Sequence, residues 1–204
     1  MSLLARSNAV VELARELGGI ATVGSVAEPE PLARLVQKTL DTFGRIDAVV
    51  NNTGHPAKGD LLAITDEDWH QGLDLLLLSV VRVARLVTPT FERQGGGAVV
   101  NISSFAAQEP NLPRPVSSAL RTALSSFTQM YAERYGAQNI RMNSVLPGWV
   151  NTYEVAASDL ARIPMGRPAE PREIARVVAF LVSSDANYIT GENIRIDGGL
   201  IRSL

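Results

Sequence analysis

The side chains that could do nucleophilic, acid–base or metal chemistry are few. The chain has no cysteine, which excludes disulfides, thiolate metal sites and thiol nucleophiles, and it has two histidines, His55 and His70. His55 directly follows Asn51-Asn52-Thr53-Gly54, at the edge of the predicted sheet where Ser104 should emerge. A histidine beside a serine can act as its base, but an ordinary polar loop histidine is the favoured interpretation because no acid is placed to orient the imidazole. His, Asp and Glu do not cluster at ligand spacings, so no metal site is predicted.

An aromatic pair, Trp149 and Tyr153, follows the turn Pro147-Gly148. These residues open an irregular loop over about residues 147–170, and a second irregular stretch runs from Ser104 to Val116. Both follow predicted strands, at the edge where parallel α/β sheets bind ligands. The aromatic pair suits an apolar or planar ligand, and packing of the loop onto the body of the protein explains it equally well.

Composition and charge narrow the class of protein. The chain has 204 residues, 46% hydrophobic and 20% charged, which predicts one globular domain over residues 1–204. A formal net charge of -2 disfavours nucleic acid and anionic membranes as partners. The most apolar run, Leu75–Leu78, is far shorter than the roughly 18 residues that span a bilayer, and the N-terminal residues lack the features of a secretion signal. The sequence therefore predicts a soluble, cytoplasmic protein.

Short β-rich runs alternate with helical patterns along the chain, which predicts an α/β protein with a parallel sheet between layers of helices. Buried strands are predicted at Val49-Val50, Ala98–Ile102 and Met142–Val145. Helix starts are predicted at Ser7 or Asn8, at Pro31 and after the capping residue Thr65.

Two predicted helices carry unusually wide apolar surfaces. They lie within Leu73–Arg85 and Leu120–Tyr135. More of their circumference is apolar than one core-facing side requires. A subunit interface and thorough burial inside the protein both explain this pattern.

The segment Asn51-Asn52-Thr53-Gly54 resembles the Asn-Asn-Ala-Gly motif of the short-chain dehydrogenase/reductase (SDR) family, and the similarity extends from about residue 2 to the end of the chain. Other matching segments, in the family's order, are Phe43–Asp47, Val100–Ser104, Pro147-Gly148, Thr190–Glu192 and Ile196–Gly199. The resemblance implies a three-layer, Rossmann-like, doubly wound parallel sheet. It also implies dimers or tetramers formed through the two wide apolar helices.

The resemblance points to changes at the catalytic positions. Family members use a serine, a tyrosine, a lysine four residues after the tyrosine, and an asparagine on the preceding long helix. Ser104 matches the serine, whereas Ser117 stands at the tyrosine position, Arg121 at the lysine position and Leu76 at the asparagine position. A serine hydroxyl is shorter and less acidic than a phenol, an arginine keeps its proton, and a leucine makes no hydrogen bond. Because catalytic groups act as a unit, these changes predict that hydride transfer is lost.

The resemblance also points to a missing cofactor site. Family members open with a strand, a glycine-rich turn and a helix that bind the dinucleotide pyrophosphate. Here Ser2–Ser7 resembles the family's second strand and the loop after it, so the first βα unit is absent, and Ser25-Val26 replaces an Asp-Val pair that holds adenine. No cofactor is therefore predicted. The vestiges of an NAD or NADP site would be Asn52, Thr53, Gly54, Pro147 and Gly148.

A gap left by the first strand would be costly in a hydrogen-bonded sheet whose family order is 3-2-1-4-5-6-7. Residues 2–5 could fill the gap with Ile20–Val23 beyond them, which gives the flavodoxin-like strand order 2-1-3-4-5-6. Arg6 would then lie beside Asn52–Gly54 and could bind a phosphate or carboxylate, although a plain surface arginine is the favoured alternative. Another interpretation is that Met1 is an internal start, which would restore the phosphate site upstream but not the catalytic residues.

These observations favour an SDR-like protein that has lost NAD(P)-dependent hydride transfer. It would be a cofactor-independent enzyme or binder of a small molecule, or a non-catalytic subunit that pairs with itself or with an SDR relative. The residues predicted to line its cleft are His55, Ser104, Ser117, Arg121, Trp149 and Tyr153. In this cleft Arg121 would anchor an anionic or carbonyl group and Ser104 would donate a hydrogen bond. The alternative is an NAD(P)H-dependent carbonyl or alcohol oxidoreductase with substituted active-site residues.

Overall fold

Parallel strands alternate with helices in the computed structural model, which describes residues 1–152 and 154–202. The strands are β1 Ser2–Ala5, β2 Ile20–Val23, β3 Ala48–Asn51, β4 Gly97–Ile102, β5 Ile140–Pro147 and β6 Asn193–Ile196. The helices are α1 Ala9–Glu16, α2 Pro29–Phe43, α3 Asp66–Leu73, α4 Ser79–Gln94, α5 Pro115–Tyr135, α6 Ala157–Leu160 and α7 Pro171–Val182. Every pairing between these strands is parallel, which confirms the predicted α/β class.

Local signals set the ends of several helices. Thr65 Oγ1 accepts a hydrogen bond from the Asp68 backbone N at 3.1 Å, which confirms the predicted cap of α3. Gly44 ends α2 in the left-handed conformation, with φ at 72°, which glycine adopts without strain. Between α3 and α4 the residues Asp74–Leu78 form a π-turn, so the predicted long helix continues as three segments to Gln94.

The strands form two hydrogen-bonded groups within the described residues. β1 pairs with β2, and the second group has the order β3-β4-β5-β6. In the second group Asn51 lies opposite Asn101, and Asn101 lies opposite Ser144. This register places three polar side chains at one level across three neighbouring strands.

The predicted flavodoxin-like order is wrong, because no ladder joins β1 to β3 within the described residues. Instead, α2 packs on β1, on β2 and on α4. Arg82 of α4 also donates to the carbonyl O of Ala27, just before α2, at 2.7 Å. These contacts attach the β1–β2 pair to the helical layer that also covers the four-stranded group.

Apolar clusters cover both faces of the four-stranded sheet. The larger cluster joins β4 and β5 to α2, α4 and α5 and includes Leu32, Val87, Phe91, Leu124, Ile140 and Met142. A smaller one joins the same strands to α7 and includes Val100, Val145, Ile174 and Leu181. Helices therefore cover both faces, as the three-layer architecture requires.

The long loop after β5 is closed by backbone hydrogen bonds at its base. Ala169 N donates to Trp149 O and Asn151 N donates to Ala169 O, both at 2.8 Å. The loop also contains the short helix α6. The organisation of residues 1–204 as one domain stays a prediction.

Within residues 1–152 and 154–202, no helix has the length and apolar character needed to cross a membrane.

Candidate active site

Two serines, Ser103 and Ser104, directly follow β4 at the carboxyl edge of the sheet. Ser104 is half-buried, and its Oγ accepts a hydrogen bond from Ala106 N at 3.2 Å, capping the 3₁₀ turn Phe105–Ala107. Ser103 Oγ is buried and has no hydrogen-bond partner among the described residues. Because a hydroxyl can donate as well as accept, both groups can still donate to a ligand.

The first turns of α5 place Ser117 and Arg121 on one face of the helix, four residues apart. Arg121 Nε donates to Ser117 Oγ at 3.2 Å, and Arg121 Nη1 donates to the carbonyl O of Ile102 at 3.0 Å. The second bond ties α5 to the end of β4. The structure therefore brings together the predicted positions Ser104, Ser117 and Arg121.

Arg121 is a buried cation with neutral partners. Its side chain is 4% exposed, and the ion pairs of the described residues do not include it. Burial lowers the pKa of the Arg121 guanidinium to about 10, so it still carries its proton at neutral pH. A fixed positive charge in a dry site stabilises negative charge that develops on a bound substrate.

His55 lies in the exposed loop after β3, and this loop reaches the start of α5. A Cβ on Gly72 would touch both Val116 and Pro56, the latter at 3.5 Å, so these two residues are neighbours. Desolvation lowers the pKa of the His55 imidazole, and the positive charges of Arg114, Lys58 and Arg121 lower it further. The loop of His55 therefore reaches the first turn of α5, while the place of His55 in the cleft and its role as a base stay predictions.

The position predicted for the asparagine is occupied by a core residue. Leu76 is 1% exposed and lies in the π-turn Asp74–Leu78, which packs against α5. A π-turn often marks a functional site because it re-aims side chains within a helix. Here the widened turn carries an apolar side chain and supplies no hydrogen bond from position 76.

A buried polar network below the site was missed by the sequence analysis. Asn51 Nδ2 donates to Asn101 Oδ1 at 2.9 Å, and Asn101 Nδ2 donates to Thr128 Oγ1 at 3.2 Å. Thr128 Oγ1 also lies 3.0 Å from Ser144 Oγ. The network ties β3, β4 and β5 to α5, and each member is polar in a position where an apolar residue would be expected. The presence of polar residues at these predicted core positions was the sequence signal that could have revealed the network.

Trp149 packs into the body of the protein. Its ring lies 5.8 Å from the Phe105 ring, centroid to centroid, and the Arg114 guanidinium carbon lies 5.0 Å above it. Trp149 is therefore a packing residue of the loop, and contact with a ligand stays a prediction. Tyr153, its predicted partner, lies outside the described residues.

Gly148 lies where two chain segments pass closely. A Cβ at this position would be 2.9 Å from the Cα of Asp197, which only glycine avoids. Pro147 and Gly148 thus bring the end of β5 against the segment after β6. Their predicted contact with a cofactor stays a prediction.

The remaining predicted cofactor residues lie on two separate strand ends. Asn52 and Gly54 are exposed and Thr53 is half-buried directly after β3. Arg6 is exposed after β1. Because no ladder joins β1 to β3 in the described part of the chain, the predicted pairing of Arg6 with Asn52–Gly54 does not follow from strand order.

Two further cations border the site and were not singled out from the sequence. Gly59 N donates to Pro113 O at 3.2 Å, which joins the loop carrying Lys58 to the loop carrying Arg114. Arg114 directly precedes α5. The sequence could have revealed Arg114, because a proline at position 115 indicates a helix start there. A helix that starts at Pro115 places Arg114 beside the turn that carries Ser117.

Comparison with known proteins identifies relatives over nearly the whole chain. Residues 3–201 match the family profile described as enoyl-(acyl carrier protein) reductase. The chain is 33% identical over 184 residues to the 3-oxoacyl-(acyl-carrier-protein) reductase FabG of Thermotoga maritima, covering 87% of this chain and 75% of that protein. It is 35% identical over 196 residues to dehydrogenase/reductase SDR family member 4 of Oryctolagus cuniculus, covering 91% and 75%.

A solved structure matches the fold closely. L-Sorbose reductase from Gluconobacter frateurii, complexed with NADPH and L-sorbose, superposes with a TM-score of 0.90 at 28% identity, covering 100% of this chain and 87% of that chain.

These relatives correct two predictions from the sequence. The predicted loss of hydride transfer is wrong, because the relatives are named as reductases and dehydrogenases. The predicted absence of a cofactor is also wrong, because the G. frateurii enzyme was solved with NADPH. Both predictions were drawn from side-chain types alone, whereas the structure joins Arg121 to Ser117 by a hydrogen bond and buries Arg121. Together with the parallel α/β fold, the matches show that the chain belongs to the short-chain dehydrogenase/reductase family.

Proposed function

We propose that this protein is an NAD(P)H-dependent oxidoreductase that interconverts a carbonyl compound and an alcohol with a substituted set of active-site residues. The observation that carries the proposal is the buried Arg121–Ser117 pair at the end of β4, next to Ser104. The names of the relatives support the reaction class, since both the T. maritima and the G. frateurii proteins are reductases.

The carboxyl edge of the sheet fits the nicotinamide half of the cofactor. Asn52–Gly54, Ser103 and Pro147-Gly148 follow neighbouring strands at the edge where α/β sheets bind ligands. The buried Ser103 Oγ lacks a partner among the described residues, so a polar group of the cofactor would satisfy it. These residues would hold the nicotinamide end, and NAD(P)H, when bound, supplies the hydride for the carbonyl carbon.

Ser104 and Ser117 would bind the carbonyl oxygen of the substrate. Each serine oxygen already accepts one hydrogen bond, from Ala106 N or from Arg121 Nε, so each hydroxyl hydrogen is available to the substrate. The charge of Arg121 lies behind Ser117 and stabilises negative charge on the carbonyl oxygen as the carbon is reduced.

Arg121 acts as a fixed charge rather than as the proton donor. Because its pKa is about 10, it keeps its proton at neutral pH. The substrate oxygen takes its proton from the Ser117 hydroxyl, Ser117 is reprotonated by a solvent water, and the hydroxide that this leaves is neutralised by the bulk buffer. This assignment differs from an acid–base relay, because the cationic group never loses its proton.

Arg6 would bind the additional phosphate of NADPH. It lies exposed after β1, and within the described residues its side chain forms no hydrogen bond or ion pair. An arginine near the ribose is the usual way in which such folds accommodate the 2′-phosphate. We therefore expect NADPH to bind more tightly than NADH, and Arg6→Gln to reduce that difference.

The test is an assay of NADPH and NADH oxidation against a panel of ketones and aldehydes. We expect turnover of at least one carbonyl compound, with kcat/KM about 10²–10³ lower in Arg121→Met because a group that stabilises the oxyanion is removed. Arg172→Met is the matched control, since it removes an exposed charge from α7.

Calorimetric titration with NADPH separates binding from chemistry in the same samples. Cofactor binding without turnover of any carbonyl compound would contradict the proposed reaction. Equal kcat/KM values for the unmodified protein and Arg121→Met would contradict the role of Arg121.

We also infer that the protein self-associates through the outer faces of the π-turn, α4 and α5. Leu77, Val81, Leu120 and Phe127 are only half-buried, and Met130 is 59% exposed. Apolar side chains that remain on neighbouring helices favour a subunit interface. Sedimentation of a stable monomer at micromolar concentration would contradict this inference. Pairing with an SDR relative and the cytoplasmic location stay predictions.

A further inference from the structure

Two loops that carry cations lie together at the mouth of the candidate active site. The bond from Gly59 N to Pro113 O, 3.2 Å long, brings together the loops that carry Lys58 and Arg114. Arg121 lies on the same helix end, seven residues after Arg114. Among the ion pairs of residues 1–152 and 154–202, none involves Lys58, Arg114 or Arg121.

The acids of these two loops have other partners. Asp60 Oδ1 accepts a hydrogen bond from Leu62 N at 3.2 Å. Glu109 Oε1 lies 2.7 Å from Arg162 Nη2 in an ion pair. Within the described residues, the two acids nearest in sequence to these cations therefore form no ion pair with them.

Arg114 can bind an oxyanion. Its guanidinium carbon lies 5.0 Å from the centroid of the Trp149 ring, and no side-chain hydrogen bond or ion pair within the described residues uses its N–H groups. Such groups bind a carboxylate or phosphate through two parallel hydrogen bonds. The first turn of α5 has no acidic residue and no side-chain cap, so the positive end of this 21-residue helix adds to the charge.

We propose that Lys58 and Arg114 form a subsite for an oxyanion carried by the substrate, so that the substrates are carbonyl compounds that bear a carboxylate or a phosphate. The proposal deepens the proposed reductase function and rests on it for the reaction, although not for binding. Ser104, Ser117 and Arg121 take the carbonyl oxygen, while Lys58 and Arg114 take the charged group at the mouth. A neutral ketone would leave these two cations without a counter-charge.

His55 provides a direct readout of binding in the cofactor-free protein. It is one of two histidines, and it lies within the electrostatic reach of Lys58, Arg114 and Arg121. An anion bound to these cations stabilises the imidazolium and so raises the pKa of His55. The His70 signal serves as an internal reference in the same spectra.

The experiment is an NMR titration of tag-free protein from acidic to neutral pH, at constant ionic strength. The probes are malonate and inorganic phosphate, with chloride and neutral malonamide as controls. We expect malonate or phosphate to raise the pKa of His55, and we expect no rise with the controls. The anion that causes the larger rise identifies the charged group of the substrate as a carboxylate or a phosphate. The rise should disappear in the double variant Lys58→Gln/Arg114→Gln and persist in Arg172→Gln. No rise with either anion, or an equal rise in the double variant, would overturn the proposal.

A kinetic comparison tests the same subsite during turnover. Acetoacetate and methyl acetoacetate differ by one carboxylate charge, so the ratio of their kcat/KM values reports on the subsite. We expect the ratio to favour acetoacetate and to fall about tenfold in Arg114→Gln, because a charge-assisted contact is lost. Arg172→Gln should keep the ratio.

The two experiments distinguish failure of the oxyanion subsite from failure of the reductase function. If the NMR titration succeeds and no carbonyl compound is reduced, the reductase function is wrong and the oxyanion subsite stands. If acetoacetate and methyl acetoacetate are reduced with equal kcat/KM and anions do not raise the pKa of His55, the reductase function stands and the subsite is wrong.

Discussion

The four-stranded sheet and the β1–β2 pair differ in how deeply they are packed. Every residue of β5 is buried, as are four of the six residues of β4. In β1 no residue is buried, and in β2 only Thr22 is. β3 is an edge strand of the four-stranded sheet, and its Val50 is 49% exposed.

This difference separates the groups proposed for catalysis from the residue proposed to select the cofactor. Ser104, Ser117 and Arg121 are attached to β4 and α5, which the deepest core and the polar network hold together. Arg6 follows the half-buried β1. Catalytic geometry should therefore depend on the packing of the four-stranded sheet, whereas the β1–β2 pair should tolerate substitution.

Removal of a large core side chain should show this contrast most strongly. Phe91 of α4 is 0% exposed, so Phe91→Ala should lower the free energy of unfolding by about 4 kcal/mol through lost burial and a cavity. Phe43, at the end of α2 between β2 and β3, is 43% exposed, and Phe43→Ala should cost under about 1 kcal/mol. Urea unfolding of both variants measures the two losses, and equal losses would remove the contrast.

A matched pair of threonine substitutions tests the polar network. Thr128→Val should lower the free energy of unfolding by about 2 kcal/mol, because Asn101 and Ser144 lose a buried hydrogen-bond partner. Thr22→Val in β2 should change it by less than about 0.5 kcal/mol, since no side-chain hydrogen bond of Thr22 is found within the described residues. The same urea titration applies, and a larger loss from Thr22→Val would reverse the comparison.

The pH dependence of turnover tests whether the buried charge of Arg121 is used. Arg121 is cationic below its pKa of about 10 and neutral above it, so kcat/KM should hold below this pH and fall about tenfold per pH unit above it. Arg121→Lys places a cation of lower intrinsic pKa in the same buried position, so the fall should move to lower pH. Circular dichroism at each pH confirms that the protein is still folded. A fall at the same pH in both proteins would assign the titration to another group.

Much of the fold could be predicted because its signals are local. The cap at Thr65, the left-handed Gly44 and the apolar runs of β4 and β5 each act within a few residues of themselves. The positions of Ser117 and Arg121 in the site were predicted from a resemblance over nearly the whole chain. Their chemistry was not, because side-chain types alone do not show that Arg121 is buried against Ser117 and Ile102.

By itself the sequence determined the element order, the parallel α/β class and the strand ends that carry the serines. Only the tertiary structure decided that β1 stays with β2, that the loop of Lys58 meets the loop of Arg114, and that the Asn101 amide bonds both Asn51 and Thr128. The physical reason is distance along the chain. Caps and apolar periodicity depend on neighbours one or two turns away, whereas these contacts join distant segments and exist only after the helices have packed on the sheet.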